Sequence, residues 1–233
     1  MEIVDLGTLP DTENRYTGFL NQICDKYEMD HAAYAGMNPV GGSIHGHVTY
    51  DDGWKAHYAN QGLQMIDPTL HMSQRSIAPV DWRRLERNAD FQRVFHDARD
   101  FGLTEQGLTI PVRGPYGEIG LLSVTRDCPV AKWDKLIGHV ITDLQSMAVH
   151  LHDTVMSSDA LSHILLHPNL SKREIEILQW VAAGKSQQDV GDILSISHRT
   201  VEVHLRSGRE KLCALTTAQA VGRAIGLGLI YPG

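Results

Sequence analysis

Apolar side chains recur every three or four positions over several stretches of the first two thirds of the chain. This period predicts an amphipathic helix over residues 12–28 and a long helix from about Trp133 to Met156. The same spacing predicts a helix that begins near Trp54 and another over residues 83–100.

Between these helices the pattern changes to short apolar runs bounded by turn residues. HAAYAGM and SIHGHVTY predict two strands, and LTIPVR and EIGLLSVT around a tight turn predict a β-hairpin. Helices and strands in this order predict an α+β domain, in which helices sandwich an antiparallel sheet in an α-β-α arrangement.

The last third of the chain carries start and stop signals for three short helices. Ser171 and Glu174 form a capping box, and Gly184 can end the helix that follows. Ser186 begins a second helix, and Ser197 caps a third after a turn of about three residues. This spacing is typical of a small all-α helix-turn-helix domain. The predicted boundaries are a domain over 1–156, a linker over 157–169 and a DNA-binding domain over 170–233.

The third of these helices has an apolar stripe and an opposite polar face. The stripe carries Val201, Leu205, Gly208 and Leu212. A valine on the polar face suits a thymine methyl, and a neighbouring arginine can read guanine. The residues predicted to contact DNA, whether bases or phosphates, are Lys185, Ser197, Arg199, Thr200, Glu202, Val203, Arg206, Arg209 and Lys211. The alternative is a solvated helix face without a partner.

Net charge changes the picture only when it is divided between the two parts. The whole chain carries −7. Residues 170–233 hold eight Lys and Arg against six Asp and Glu, hence +2, which leaves −9 for residues 1–169. This asymmetry favours two modules with different partners.

Cysteine usage and hydropathy indicate the compartment. The three cysteines are far apart and form no CxxC pair, which favours a reduced cytoplasm over a disulfide framework or a zinc site. No apolar window reaches the ~18 residues of a membrane span, and the acidic first residues do not resemble a signal peptide. We therefore expect a cytoplasmic protein without a membrane partner.

Residues 170–230 resemble the LuxR-type DNA-binding domain from end to end. The family's Glu, Leu and Gly marks fall on Glu174, Leu178 and Gly184. The sequence departs from the family at 189–191, where Glu-Ile-Ala is usual, and at 207–208, where a bulkier pair is common. This resemblance implies a transcriptional regulator that binds promoter DNA.

The first domain resembles the acyl-homoserine-lactone-binding domain of quorum-sensing regulators. The resemblance rests on Tyr50-x3-Trp54-x3-Tyr58, Asp67-Pro68, Trp82, Gly107-Leu-Thr-Ile-Pro and Gly117-Glu-Ile-Gly-Leu-Leu-Ser. It implies that Trp54 donates to the lactone carbonyl, that Asp67 accepts the amide N–H, and that Tyr50 and Ser123 donate to the amide carbonyl. Tyr58 and Trp82 would wall the pocket, and Thr69 would help to set its polar end.

The acyl tail needs an apolar sleeve beside these polar groups. Candidates for it are Ala33, Ala35, Val48, Met65, Ile66, Leu70, Phe101, Leu108, Ile110 and Leu121. Each polar candidate also has a simpler interpretation: Trp54 and Tyr58 as core aromatics, Asp67-Pro68 as a turn, Ser123 as a structural strand residue.

His45-Gly-His47 with Asp51 is similar to the start of a metallohydrolase motif, but the remaining Asp and His are missing. We therefore expect no metal, no cofactor, no catalytic residue and no enzyme. The expected function is a quorum-sensing regulator that binds an N-acyl-homoserine lactone and, as a homodimer, an inverted-repeat promoter site.

Three alternatives stay open at this stage. A phosphorylation-dependent regulator with the same tail would need an acidic pair and a phosphoacceptor context, which the sequence lacks. A family member could respond to another small molecule, or repress in the absence of ligand. RNA polymerase is left open as a further partner.

Overall fold

One antiparallel sheet of five strands, in the order β2-β1-β5-β4-β3, organises the first part of the chain. The computed structural model describes residues 15–37, 44–114, 118–157 and 168–231. The strands are β1 (His31–Met37), β2 (Ile44–Val48), β3 (Val80–Asp81), β4 (Gly107–Arg113) and β5 (Ile119–Thr125).

Helices flank this sheet in the first part of the chain and form the second part. The first part contains α1 (Arg15–Tyr27), α2 (Asp52–Asn60), α3 (Pro68–Gln74), α4 (Ala89–Asp100) and α5 (Val130–Ser157). The second part contains α6 (Lys172–Ala182), α7 (Gln187–Leu194), α8 (His198–Lys211) and α9 (Thr217–Gly226). The chain divides into two compact units, and residues 168–231 lie in the second.

The register of the sheet places small side chains on one face. Ala33 lies between Val48 on β2 and Ser123 on β5, and Ala35 lies between Gly46 and Leu121. Because successive side chains of a strand point to opposite faces, these residues share one face. Short side chains on this face leave room beneath the helices that cover it.

The opposite face carries larger side chains and packs against α1 and α5. Tyr34, Leu122 and Val124 are buried there. The hydroxyl of Tyr34 lies 2.7 Å from Nδ1 of His152 on α5. The hydroxyl of Tyr27 on α1 donates to Asp143 on α5 at 3.0 Å. Helices thus cover both faces of the sheet, which confirms the predicted α-β-α class.

The second unit is a helical bundle with its own apolar core. Val201, Leu205, Gly208 and Leu212 are buried, which confirms the predicted stripe of the third helix. Ser171, Ser186 and Ser197 cap the three helices as predicted. The fourth helix, α9, adds Ala220 and Ala224 to the same core and was not predicted.

Several element boundaries differ from the sequence predictions for identifiable local reasons. The β4–β5 hairpin pairing is confirmed. The helix predicted over residues 83–100 begins at Ala89, because Asn88 caps it and residues 82–84 form a 3₁₀ turn. The predictions that fall on residues 12–14, the hairpin turn and residues 158–167 of the linker lie outside the described residues.

Candidate ligand pocket and nucleic-acid interface

Helix α2 carries two aromatic residues toward the small-residue face of the sheet. Asp51 caps this helix by accepting a 2.8 Å hydrogen bond from the backbone N–H of Trp54. Since Trp54 and Tyr58 are four residues apart, they lie on the same side of the helix, with ring centroids 5.5 Å apart. The ring of Phe101 packs on Trp54 at 5.4 Å.

A cavity of about 240 Å³ lies between these helices and the sheet. It is lined by all seven residues predicted to contact the ligand, Tyr50, Trp54, Tyr58, Asp67, Thr69, Trp82 and Ser123. Its remaining lining is mostly apolar. A cavity with a few convergent polar groups in an apolar wall is typical of a small-molecule site.

Asp67 is the buried acceptor of this cavity, with only 7% of its surface exposed. It caps α3, and its Oδ1 accepts bonds from the backbone N–H and the hydroxyl of Thr69, at 2.8 and 2.7 Å. Its Oδ2 accepts from the hydroxyl of Tyr58 at 2.8 Å. Burial raises the pKa of the Asp67 carboxyl, and the bonds from Thr69 and Tyr58 offset part of that rise.

Two donors of the cavity are not engaged by the protein. The hydroxyl of Tyr50 and the indole N–H of Trp54 make no hydrogen bond to a residue that the structure describes. Burial, with a smaller contribution from the Asp67 charge, raises the pKa of Tyr50, so this hydroxyl keeps its proton. Both groups can therefore donate to a ligand oxygen.

Ser123 is oriented by a chain of buried groups. The indole N–H of Trp82 donates to Oγ1 of Thr109 at 2.8 Å, and Oγ1 of Thr109 lies 2.8 Å from Oγ of Ser123. An indole N–H can only donate, so the Thr109 hydroxyl accepts from Trp82. Either hydroxyl can be the donor of the bond between Thr109 and Ser123. When Thr109 is the donor, the Ser123 hydroxyl has its proton available for a ligand oxygen in the cavity.

Only some of the residues predicted to form the apolar sleeve line the cavity. Ala33, Ala35, Val48 and Leu70 line the cavity. The sheet register places Leu108 and Ile110 on the opposite face, opposite Val124 and Leu122, so their assignment to the sleeve is wrong. Met65 is 72% exposed and is not a sleeve residue either. Ile66, Phe101 and Leu121 are likewise not among the residues that line the cavity.

No metal site or membrane span is found in the part of the chain that the structure describes. No group of three or more His, Cys, Asp or Glu side chains there could hold a metal ion. None of the described helices combines the length and the apolar character needed to cross a membrane.

Helix α8 presents most of the residues predicted to contact DNA. Arg199, Glu202 and Arg206 are exposed. Val203 lies on the polar face of this helix, and 46% of its surface is exposed, although its side chain is apolar. At the start of α8 the hydroxyls of Ser197 and Thr200 lie 2.8 Å apart, and the Ser197 hydroxyl accepts from the Thr200 N–H. Lys185 is exposed and Arg209 is partly exposed.

Lys211 is already engaged within the unit. Its ammonium donates to both carboxylate oxygens of Glu174, at 2.8 and 3.0 Å. The Ser207 hydroxyl donates to the same carboxylate at 2.7 Å. Burial by itself would raise the pKa of Glu174, but the bonds from Lys211, Ser207 and Ser171 outweigh it and lower the pKa to about 2. This cluster joins α6 to the end of α8.

Comparison with known proteins identifies both parts of the chain. Residues 12–155 match the profile of the autoinducer binding domain, and residues 168–224 match that of the bacterial regulatory proteins of the luxR family. The chain belongs to the LuxR family of regulators. Members of the LuxR family are transcriptional regulators and not enzymes. This chain combines an autoinducer-binding domain with a helix-turn-helix domain, which is the organisation of a quorum-sensing regulator.

Relatives of this LuxR-family regulator carry names that agree with this assignment. It is similar to the transcriptional activator RaiR of Rhizobium etli, with 35% identity over 74% of this chain and 72% of the relative. It is also similar to the quorum-sensing regulator RhlR of Pseudomonas aeruginosa, with 33% identity over 79% and 75%. The crystal structure of Escherichia coli SdiA superimposes with a TM-score of 0.73 at 25% identity, covering 97% of this chain and 94% of SdiA.

The sequence did not predict the contacts of two buried polar residues in this LuxR-family chain. Thr109 stands inside the quoted Gly-Leu-Thr-Ile-Pro segment, but only its hydrogen bonds distinguish it from a structural strand residue. Glu174 was predicted as half of a capping box and as the family's Glu mark, but its pairing with Lys211 spans 37 residues, beyond any local pattern.

Proposed function

We propose that this regulator binds an N-acyl-homoserine lactone in the cavity between the sheet and helices α2–α4. The single observation behind the proposal is that donors and an acceptor converge on one apolar cavity in the number that this ligand needs. Tyr50, Trp54 and Ser123 supply donors for two carbonyls, and Asp67 supplies the acceptor for one amide N–H. Bonds to a charged acceptor contribute about 1.5–3 kcal/mol each.

The apolar side of the cavity suits an acyl chain. Ala33, Ala35, Val48 and Leu70 present only hydrocarbon to it. Burial of each methylene contributes about 0.8 kcal/mol, so the tail supplies much of the affinity and the polar groups supply the recognition of the head.

The proposal is tested by adding N-butanoyl to N-dodecanoyl homoserine lactones to the full chain. At least one of them should raise the unfolding temperature, and mass spectrometry should recover it unhydrolysed. Asp67→Asn should weaken binding by more than tenfold. Asp52→Asn is the matched control, because the Asp52 carboxylate stands on α2 with 97% of its side chain exposed and pairs with Lys55 at the surface.

A different acyl head group is the main alternative outcome. SdiA has also been solved in complex with octanoyl-rac-glycerol, and that structure superimposes with a TM-score of 0.71 at 25% identity over 96% of this chain and 91% of SdiA. The assay therefore includes 1-octanoyl-glycerol. Stabilisation by this ester and by none of the lactones would overturn the lactone assignment while keeping the pocket.

We further propose that a homodimer places two copies of α8 in successive major grooves of an inverted-repeat promoter site in the cytoplasm. The exposed polar face of α8 supports this proposal. The low net charge of residues 170–233 also supports it, because a unit with a net charge of +2 attracts DNA only weakly by itself and two units bind more tightly than one. In this proposal residues 1–156 bind the ligand, 157–169 connect, and 170–233 bind DNA. Whether RNA polymerase also binds is a separate question for promoter assays.

A further inference from the structure

The ligand cavity has two chemically different ends along strand β5. Ser123 lies level with Ala33 on β1 and Thr109 on β4. Toward the start of β5 the same face of the sheet continues to Ala35 and Gly46, which line an apolar end. Toward its end the same face continues to Thr125, about 7 Å from Ser123 at the usual rise of a strand.

Thr125 has an unusual position at this second end. It lines the cavity, and only 3% of its surface is exposed. Its Oγ1 is fully buried and has no hydrogen-bond partner within the described part of the chain. Thr109, two positions along on the neighbouring strand, is equally buried but bonds to both Trp82 and Ser123. A buried hydroxyl without a hydrogen-bond partner destabilises the folded state.

The surroundings of Thr125 indicate which part of a ligand reaches it. Gly107 is its cross-strand neighbour on β4, and the six-membered ring of Trp82 lies so close over Gly107 that an added Cβ would be 2.5 Å away. Trp82 therefore walls this end of the cavity. His31 is the cross-strand neighbour on β1, and its Nδ1 is also without a partner, but no hydrogen bond joins it to Thr125.

We propose that the Thr125 hydroxyl, turned toward the cavity by rotation about χ1 when the ligand binds, donates a hydrogen bond to a lactone ring oxygen and so is a specificity-determining residue for the head group. This inference rests on the proposed function. If the amide carbonyl faces Ser123 and the tail follows the apolar end, the ring occupies the end that Thr125 and Trp82 enclose. The orphan hydroxyl then gains an acceptor that no described residue of the ligand-free chain provides.

Because this hydroxyl has no partner, its removal should affect stability and ligand affinity in opposite directions. Thr125→Val keeps the shape of the side chain and removes an unpaired polar atom, so the ligand-free chain should be as stable as the wild type or more stable. Affinity for the tightest-binding lactone should nevertheless fall about 5- to 10-fold, the loss of one hydrogen bond. Thr109→Val is the matched control, and it should lower the stability of the ligand-free chain because it leaves the Trp82 indole N–H unpaired.

A second arm varies the ligand instead of the protein. The N-acyl-cyclopentylamide of the same chain length has the amide and the tail but no ring oxygens. Wild type should lose more affinity than Thr125→Val on going from the lactone to this amide, and the difference should match the 5- to 10-fold effect of the substitution.

The outcomes separate this inference from the proposed function. Equal lactone affinity of wild type and Thr125→Val, or equal losses on the cyclopentylamide, would overturn the role of Thr125 and leave the pocket assignment intact. A loss of stability in Thr125→Val comparable to that in Thr109→Val would show that the hydroxyl is paired inside the protein, with His31 the nearest candidate. Failure of every lactone to bind wild type would overturn both proposals.

Discussion

Asp67 shows how one buried residue sets the polarity of a whole pocket. Its carboxylate accepts three hydrogen bonds from Thr69 and Tyr58, and both partners are held by it as donors. Tyr58 is therefore a support for the acceptor rather than a passive wall. The arrangement leaves Asp67 able to accept a further N–H but unable to donate while it is ionised.

The raised pKa of Asp67 predicts a pH dependence of ligand binding. The ionised carboxylate accepts the amide N–H, so affinity should fall by up to about tenfold per pH unit below the pKa. Because burial raises this pKa, the fall should begin above the ordinary value of 3.8. Calorimetric titration from pH 8 downward measures it.

The sign of the linkage separates this effect from acid unfolding. A carboxyl whose pKa is higher in the folded state binds its proton more tightly there, so protonation of Asp67 stabilises the fold as the pH falls. Asp67→Asn should therefore bind weakly at every pH. A fall of affinity with the same midpoint in this variant would assign the titration to another group.

At this scale the sequence predicted the pocket residues better than it predicted the residues that support them. Trp54, Tyr58 and Asp67 stand in a spaced pattern that resembles a known family, so their positions could be named. Thr109 and Thr125 could not be separated in function, because both are strand threonines and only their partners differ. Leu108 was assigned to the wrong face because the register of a strand, not its hydrophobicity, decides which face is the pocket.

In the proposed function, DNA specificity depends on helix α8. Its buried stripe packs into the bundle, and its capped first turn presents Ser197 and Thr200. Residues that contact base edges change discrimination, whereas residues that contact phosphates change affinity for every sequence.

This difference predicts separate effects for two basic residues. Arg206→Ala should reduce the preference for the operator over random DNA by about 1–3 kcal/mol, because a base contact is lost. Lys185→Ala should weaken both kinds of binding equally and flatten the salt dependence. Competition binding at several salt concentrations measures both. Identical behaviour of the two variants would make Arg206 a phosphate contact.

Element boundaries show where sequence patterns stop being informative. Helix α3 has seven residues and strand β3 has two, which is too short for a period to be recognised. Yet α3 places Asp67 at its cap and Thr69 in its first turn, so an element invisible to the pattern carries part of the site. The β4–β5 hairpin was predictable because a turn joins two alternating runs.

Over the whole molecule, the two compact units have separate apolar cores and separate chemistry. The charged cluster of Glu174, Lys211 and Ser207 belongs only to the second unit. A substitution that destabilises one core should therefore leave the stability of the other unit unchanged.

Glu174→Gln tests this separation. Loss of the buried charge should destabilise the second unit by about 1–3 kcal/mol, while lactone affinity in the first unit stays within twofold. Hydrogen exchange of core amides, measured beside ligand titration, resolves the two. Glu176→Gln is the control, because Glu176 forms only a surface pair with Arg173 and such pairs contribute about 0–1 kcal/mol. Equal exchange in both variants would contradict the assignment.

The same cluster has a pH signature of the opposite sign to that of Asp67. The pKa of Glu174 is depressed to about 2, so its contribution to stability is complete above the ordinary glutamate pKa and is lost as the pH falls toward 2. As the pH falls, ligand binding should therefore weaken before the contribution of Glu174 to the second unit is lost.

The pairing of Lys211 with Glu174 also bears on the ion atmosphere of the DNA. A lysine whose charge is paired with a carboxylate of the same chain releases no net counterion when the protein meets a phosphate. With Lys185 and Arg209 as the remaining basic phosphate contacts, a dimer would release about four counterions rather than about six. The logarithm of the binding constant would then fall with the logarithm of salt concentration at a slope of roughly −4 instead of roughly −5. An internal ion pair would thus make operator binding more tolerant of the changing salt inside a cell.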